Sequence, residues 1–395
     1  MRDGALHGLS VVEYSHGVAA SFAGKLLSDF GALVVKVEDP RGDPSRRLPP
    51  LVTNGGSALF AYLNTGKDSV IVNQTSAAGR KVFRDMVRRA DVLVEDLSPR
   101  QSRRLGVSYH SLARLNRALV MVSISGFGRS GPRAGFKSTD LVNVAAGGLA
   151  LTMPNADEKT GLAVPLRPGG TFSHFATGLN AAITALAALM RRNSTGRGAC
   201  IDMSEQEAVL HNISRHVTQY TVDGKLPLWA LARNYGGGGG IMKCKDGYVM
   251  VHAAEEYTWQ ALLDVMGWPA WSKDERFRRR DVRFANWDKL QPHLDEWFGP
   301  RTMQEIFHTC QAKDIPCAPV TTPDRLVSDP HVIARKAIIQ VDGLAMPGAP
   351  VRLADTPHAV RHAAPAPGQH TEDVLSRWLG YTPSRIAALR KSHAI

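Results

Sequence analysis

Cysteine is scarce: Cys200, Cys244, Cys310 and Cys317 are the only four in 395 residues. They show no C-x-x-C spacing and no accompanying histidine pattern, which excludes a disulfide-framed secreted fold and a cysteine-based zinc site; no metal is expected. No run approaches the roughly eighteen consecutive apolar residues of a membrane span. The opening MRDGALHGLS lacks the apolar core of a secretory leader. These absences lead us to expect reduced thiols and a cytoplasmic protein. No G-x-G-x-x-G follows the first apolar run and no G-x-x-x-x-G-K-[ST] occurs, so the nicotinamide and P-loop readings lack their fingerprints. The formal charge of +12 is scattered in short clusters such as Arg46-Arg47, Arg103-Arg104 and Arg278-Arg279-Arg280, with no long basic tract. Aromatic residues do not interleave with them as a single-strand platform requires, and no nucleic-acid partner is expected.

What is present reads as alternating strand and helix over the first two hundred residues. Apolar strands are expected at 9–14, 32–37, 69–72, 91–95 and 119–124, with helical spacing at 19–30 and 77–89. That alternation implies βαβ units and a largely parallel, Rossmann-like sheet. An alanine-rich helix over 179–192 has small residues on both faces, which predicts a buried position. Ser204-Glu-Gln-Glu207 fits a capping box and opens another helix. Longer helices at 255–266, 287–298 and 303–311 mark a smaller second domain, followed by a Pro/Ala-rich tail and a last helix over 383–392. The expected division is 1–222 for the large domain, 223–330 for a linker and the small α+β domain, and 331–395 for a segment returning to the large one.

Five consecutive glycines, Gly236 to Gly240, run into a strand–turn–strand hairpin with Asp246-Gly247 at its turn. Such a run has a high ordering cost and does not belong in a strand interior. It reads as a surface linker or as a mobile gate whose backbone approaches a ligand; the rigid hairpin behind it favours the gate.

Several short motifs occur in a fixed order: Gly31-Ala-Leu-Val-Val-Lys-Val-Glu38, Arg41-Gly-Asp43, Asn64-Thr-Gly-Lys67, Gly126-Phe-Gly128 and Thr195-Gly-Arg-Gly198. With Gly238-Gly-Gly240, Lys243-Cys-Lys245, Asp314-Ile-Pro-Cys-Ala-Pro-Val320, Gly368-Gln-His-Thr371 and the terminal Ser392-His-Ala-Ile395, the chain resembles the class III (CaiB/BaiF-type) CoA-transferases along its whole length. The resemblance implies an interlocked dimer of two-domain subunits. It also implies a coenzyme A thioester as substrate, with no permanently bound cofactor. The matching CoA contacts are His16, Val18, Ala19, Val72, Thr75, Asp96, Leu97, Arg104 and Lys137, and Gly237, Gly238 and Gly239 of the glycine run join the candidate CoA-binding residues. Arg104 and Lys137 suit phosphate groups. Asp39 stands where the formyl-CoA branch has an arginine, and Thr139 where it has a tyrosine; the neighbouring acid is kept as Asp140.

The resemblance also places a catalytic aspartate before the helix that ends in Thr195-Gly-Arg-Gly198, and His174 occupies that place. In the family cycle the carboxylate forms a mixed anhydride and then an enzyme–CoA thioester. An imidazole can accept an acyl group but has no acyl carbon on which to carry CoA. The positive end of the helix is expected to keep His174 neutral. One reading makes it a base or hydrogen-bond partner, the other a residue filling vacated space; His174 and Asp140 are the candidate catalytic groups. The α-methylacyl-CoA racemase branch fits less well, because Thr139 and His174 stand where it needs a histidine and an aspartate. The expected function is CoA transfer from a donor such as succinyl-CoA to a carboxylic acid, as a homodimer or as the non-nucleophilic partner of an aspartate-bearing paralogue in a benzylsuccinate-type heteromer. A CoA-thioester lyase or isomerase using His174, and a non-catalytic CoA-ester binding protein, are the alternatives.

Overall fold

A computed structural model describes residues 4–52, 55–153, 164–224 and 236–395. Residues 225–235, in the linker end of the expected 223–330 segment, lie outside them. The chain divides into two compact units: Met1–Ala150, Arg167–Lys225 and Lys336–Ile395 in the first, Leu151–Leu166 and Leu226–Arg335 in the second.

Apolar β-branched runs build the first unit. Strands β1 (Ser10–Tyr14), β2 (Leu33–Glu38), β3 (Asp68–Ile71), β4 (Val92–Glu95), β5 (Val120–Ser125) and β6 (Ala199–Ser204) form one sheet in the order β3-β2-β1-β4-β5-β6. Every neighbouring pair is parallel. Alternate side chains face opposite ways. Val12, Val35, Val37 and Leu93 pack with Phe83 and Met86 of the helix Ala77–Arg89. Val11, Val34, Val92 and Val94 pack with Ala19, Ala23 and Leu27 of the helix Val18–Asp29 and with Ala181 and Ala185 of the helix Phe172–Thr195. Covering both faces of a parallel sheet explains why its strands read as near-continuous apolar runs.

Two charges interrupt those runs. The β1–β2 register sets Glu13 opposite Lys36. Glu13 Oε1 accepts from Lys36 Nζ at 2.8 Å and Oε2 from Lys67 Nζ at 2.7 Å, all three residues being fully buried. Lys36 also pairs with Asp43 at 2.7 Å, and Lys67 donates to the Ser21 carbonyl and to Asn64 Oδ1. Burial alone raises the Glu13 carboxyl, but Lys36 and Lys67 outweigh it and hold the pKa at about 2. Lys67, burial being its larger influence and Glu13 being shared with Lys36, falls to about 8. The cluster therefore stabilises its anion more than its second cation. Gly24 belongs to the same arrangement: a Cβ there would lie 2.1 Å from Glu13 Oε2.

The helix Phe172–Thr195 starts seven residues earlier than its alanine pattern indicates. A Cβ on Gly178 would lie 2.5 Å from the Ala19 carbonyl oxygen, so this glycine lets the two helices touch backbone to backbone. The expected burial holds for one face only. Ala181 and Ala185 are buried, whereas Leu179, Ile183 and Met190 are 48%, 55% and 75% exposed. Small residues permit close packing on either side, but the sheet covers only one. This helix is long and apolar enough to cross a membrane by length and composition, and its alanines pack in the core of the unit.

In the second unit β7 (Gly239–Cys244), β8 (Gly247–His252) and β9 (Cys317–Pro319) form an antiparallel sheet in that order. The helices Glu256–Val265, Trp287–Phe298 and Met303–Gln311 enclose a core around Trp259, Leu263, Phe298 and Ile306. The glycine run corrects the gate reading in part. Gly239 and Gly240 are buried and open β7 opposite His252 and Val251, at φ values of 136° and 153° that favour glycine. A Cβ on Gly238 would lie 1.8 Å from the Ala253 carbonyl oxygen. Close backbone approach, not mobility, accounts for these glycines. In the C-terminal segment, β10 (Ile338–Val341) and β11 (Leu344–Pro347) form a hairpin, and the last helix, Pro383–Lys391, places Ile386 in the core of the first unit.

Removing Glu13 leaves two buried ammonium groups facing each other. Glu13→Gln should lower unfolding stability by about 3–5 kcal/mol in a denaturant titration, and Lys67→Met by less. The folded pKa lies below the ordinary 4.5, so the Glu13 contribution is complete above that pH and disappears as pH falls through about 2.

Candidate active site

The strand order reverses direction between β1 and β4, and in open α/β sheets the crevice beyond the carboxyl ends of such strands receives ligands. His16 and Gly17 follow β1, and Asp96 follows β4. Asp96 accepts from the backbone N–H of His16 at 3.0 Å and of Gly17 at 2.6 Å, so its carboxylate sits at the start of the helix Val18–Asp29. That end of the helix is the positive one. Gly17 suits this close approach, because a Cβ would lie 2.8 Å from Asp96 Oδ2 and push the carboxylate aside.

His16 joins two carboxylates, with Nε2 3.3 Å from Asp39 and Nδ1 3.8 Å from Asp96. The hydrogen bond to Asp39 and then that to Asp96 push its pKa up to about 10, against the effect of burial. His16 is therefore a cation at neutral pH. Tyr14 donates its hydroxyl to Asp39 at 3.2 Å. Asp39, standing where the resemblance expects an arginine, is thus already neutralised by its own neighbours.

A cavity of about 960 Å³ opens at this place. Five expected contacts line it: His16, Thr75, Asp96, Leu97 and Arg104. Val18 and Ala19 lie in the first turn of the adjoining helix and Val72 just beyond β3, all three buried and outside the lining. Lys137 is exposed and also outside it. Gly237, Gly238 and Gly239 lie in the second unit, where Arg283 Nε donates to the Gly237 carbonyl at 2.8 Å. The lining adds Arg41 and Arg47, which the sequence shows in a short motif and a basic pair without assigning them to the ligand. Among the described residues no ion pair or hydrogen bond reaches the guanidinium of Arg41, Arg47 or Arg104. By contrast Arg278, Arg279 and Arg280 of the second unit are each paired with an acid. Three uncommitted guanidinium groups around one cavity suit a polyanionic ligand.

His174 lies in the first turn of the helix Phe172–Thr195. Its Nδ1 is 2.9 Å from Oε1 of Glu205, the first residue of the helix Glu205–Asn212. Asn143 donates its side-chain amide to Oε2 of Glu205, which is buried. Asp140 Oδ1 accepts from both the backbone N–H and the hydroxyl of Ser173 at 2.9 Å, and Arg167 Nε is 3.4 Å from Oδ2. Asp140 thereby caps a helix whose own N-cap residue, Thr171, makes no side-chain bond. The helix end is not the main influence on His174: burial lowers its pKa, but Glu205, then Asp140 and Asp96, raise it overall above the ordinary 6.5. Specific carboxylates outweigh the helix end. Glu205 escaped motif reading because Ser204-Glu-Gln-Glu207 has a sufficient explanation in capping, and Ser204 does accept from the Glu207 N–H.

Asp68, His362 and His370 offer three ligand-type atoms within 4.8 Å of one another, although no metal motif marks them in the sequence. His370 Nδ1 accepts from the Ser69 N–H at 3.2 Å, and His362 Nε2 lies 3.5 Å from Asp68, so the cluster ties the C-terminal segment to β3.

Comparison with known proteins bears on the chain as a whole. The family model described as CoA-transferase family III matches residues 6–371. The chain is 28% identical to the formyl-CoA:oxalate CoA-transferase of Afipia carboxidovorans, covering 99% of this chain and 97% of that one. It is 31% identical to the acetyl-CoA:oxalate CoA-transferase of Acetobacter aceti, covering 90% and 91%. It is 30% identical to the succinyl-CoA–L-malate CoA-transferase beta subunit of Chloroflexus aurantiacus, covering 99% and 98%. A CaiB/BaiF family protein from Brucella suis superimposes with a TM-score of 0.86 at 27% identity, covering 95% of this chain and all of that one.

The raised pKa of His174 makes a titration prediction. Its imidazole should titrate above 6.5 by NMR, and Glu205→Gln should bring the midpoint down. The pair's contribution to stability is then fully present below about 6.5 and is lost as pH rises through the folded value.

Proposed function

We propose that this chain, which belongs to CoA-transferase family III, moves CoA between an acyl-CoA such as succinyl-CoA and a carboxylic acid, with the nucleotide of CoA in the cavity at the β1–β4 switch point. The observation that carries this reading is the set of three uncommitted arginines, Arg41, Arg47 and Arg104, around that cavity. CoA brings phosphate groups in need of such partners, and Asp39 contributes no cation of its own. In this reading Arg41 and Arg47 supply what position 39 does not. A dicarboxylic acceptor is in keeping with the names of the oxalate and malate relatives.

The exposed stripe of Leu179, Ile183 and Met190 supports assembly into the interlocked dimer that the resemblance implies. With His174 at the place of the aspartate, the assembly takes one of two forms. In one, an aspartate-bearing paralogue completes a heteromer, as the subunit name of the malate relative favours; in the other, the chain acts through its own His174–Glu205 pair, which the 2.9 Å contact favours.

The test is CoA binding and CoA transfer by the purified chain, using succinyl-CoA and a panel of mono- and dicarboxylic acids followed by chromatography of the thioesters. Arg41→Ala and Arg47→Ala should each weaken CoA binding by about tenfold, in the range of a hydrogen bond to a charged group. Unchanged affinity in the double variant would count against the cavity as the nucleotide site.

A further inference from the structure

We propose that His174 Nε2, oriented by Glu205, is the acyl-accepting nucleophile of this chain, so that CoA passes between two acids within one complex and is never carried on the protein. This rests on the CoA-transfer reading and adds the reacting atom to it.

Three groups at the site have the chemistry to attack a thioester, and their hydrogen bonds separate them. Asp140 spends Oδ1 on two bonds from Ser173, with Arg167 near Oδ2. Glu205 is buried with one oxygen on His174 and the other on Asn143. Asp140 Oδ2 takes no hydrogen bond, but it is buried and held 3.4 Å from the Arg167 cation, so neither carboxylate presents an exposed oxygen free of a partner. His174 does have a free nitrogen. A carboxylate only accepts, so the 2.9 Å contact puts the imidazole proton on Nδ1 and leaves the lone pair of the neutral ring on Nε2. Among the described residues no hydrogen bond reaches Nε2, and the side chain is 20% exposed. Base, orienting acid and a clamp on that acid repeat the logic of a catalytic triad with the imidazole itself as nucleophile.

The steps balance without an added reactant. The Nε2 lone pair adds to the donor thioester carbonyl, and the carbon–sulfur bond breaks with its electrons leaving on sulfur, giving an acyl-imidazolium and CoA thiolate. Glu205 lies against the new positive charge through the Nδ1 proton. A carboxylate oxygen of the acceptor attacks the acyl carbon, the carbon–nitrogen bond electrons return to Nε2, and a mixed anhydride forms. The thiolate then attacks the acceptor carbonyl of that anhydride and expels the donor acid. One acceptor oxygen ends on the donor acid. The thiolate must stay bound throughout, a task suited to the uncommitted arginines around the nucleotide cavity.

The experiment is a single turnover of the full chain, in excess over succinyl-CoA, with a dicarboxylic acceptor labelled with heavy oxygen in its carboxylates. The active acceptor from the panel is used, and peptides are analysed by mass spectrometry after rapid quench. The expected result is heavy oxygen in the released succinate, none in any protein carboxylate, and a labile succinyl group on the His174 peptide. His174→Gln should lose at least about a hundredfold in transfer rate while retaining CoA binding. Glu205→Gln should shift the acid limb of the rate profile to lower pH at unchanged CoA affinity, which a purely structural contact would not do. Heavy oxygen on Glu205 or Asp140, or a CoA adduct there, would overturn the proposal, as would full transfer by His174→Gln. A chain that binds CoA but transfers nothing alone also overturns it, leaving CoA transfer in its heteromeric form. Failure to bind CoA removes the CoA-transfer reading itself.

Discussion

One carboxylate shared by two lysines inside a dry core is the constraint on which the first unit is built. Glu13 can be buried only if Lys36 and Lys67 are both delivered to it. Lys36 arrives through strand register, Lys67 through the turn before β3, and the Ser21 carbonyl and Gly24 through the first helix. A one-residue slip of β2 would turn Lys36 to the other face and strand the charge. Ion pairs of this kind add little net stability over apolar replacements, but the wrong arrangement is heavily penalised. The cluster thus selects a single alignment of β1, β2 and the first helix, and that alignment aims the residues after β1 at the ligand crevice.

Beyond the carboxyl ends of the strands, charge is organised differently. Inside the sheet every charge has a partner. In the crevice the acids Asp39 and Asp96 are matched by His16, Tyr14 and backbone amides, and the unmatched groups are cations. The residual field at the cavity is positive, a property that the overall charge of the chain could not have located. At the second polar centre, Glu205, Asn143 and Ser173 tie His174 and Asp140 in place, and the exposed atom left without a hydrogen bond is one imidazole nitrogen, Asp140 Oδ2 and Asn143 Oδ1 being buried.

Much of this was legible beforehand. The helices over 77–89, 287–298 and 303–311 begin and end where their apolar spacing begins and ends. Five strands announce themselves as apolar runs. The motifs Gly31–Glu38, Arg41-Gly-Asp43 and Asn64–Lys67 stand out in the sequence, and the structure accounts for them as the buried charge cluster and its surroundings. Edge strand β6 was missed because its alternation of Cys200, Asp202 and half-exposed neighbours is weak. The first two turns of the helix at Phe172 contain Thr177 and Gly178, poor helix formers, and rely on Asp140 and the contact with Ala19, which only the fold supplies. Glu205 meets His174 across 31 positions of chain, a pairing no local pattern reveals. Arg41 and Arg47 were visible in a motif and a basic pair, but only the fold brings them round the same cavity as Arg104.

The placement of Asp96 bears on how an anionic ligand is held. By taking the amides of His16 and Gly17, it consumes the rigid donors that a helix start usually turns toward phosphate. Attraction is left to guanidinium groups on long side chains at the protein–water boundary, where the Debye length is about 8 Å at physiological ionic strength. Affinity at this crevice is consequently a property of the medium as much as of the pocket. Dilute buffer strengthens it for any phosphorylated molecule, and concentrated salt leaves only the contacts made by shape.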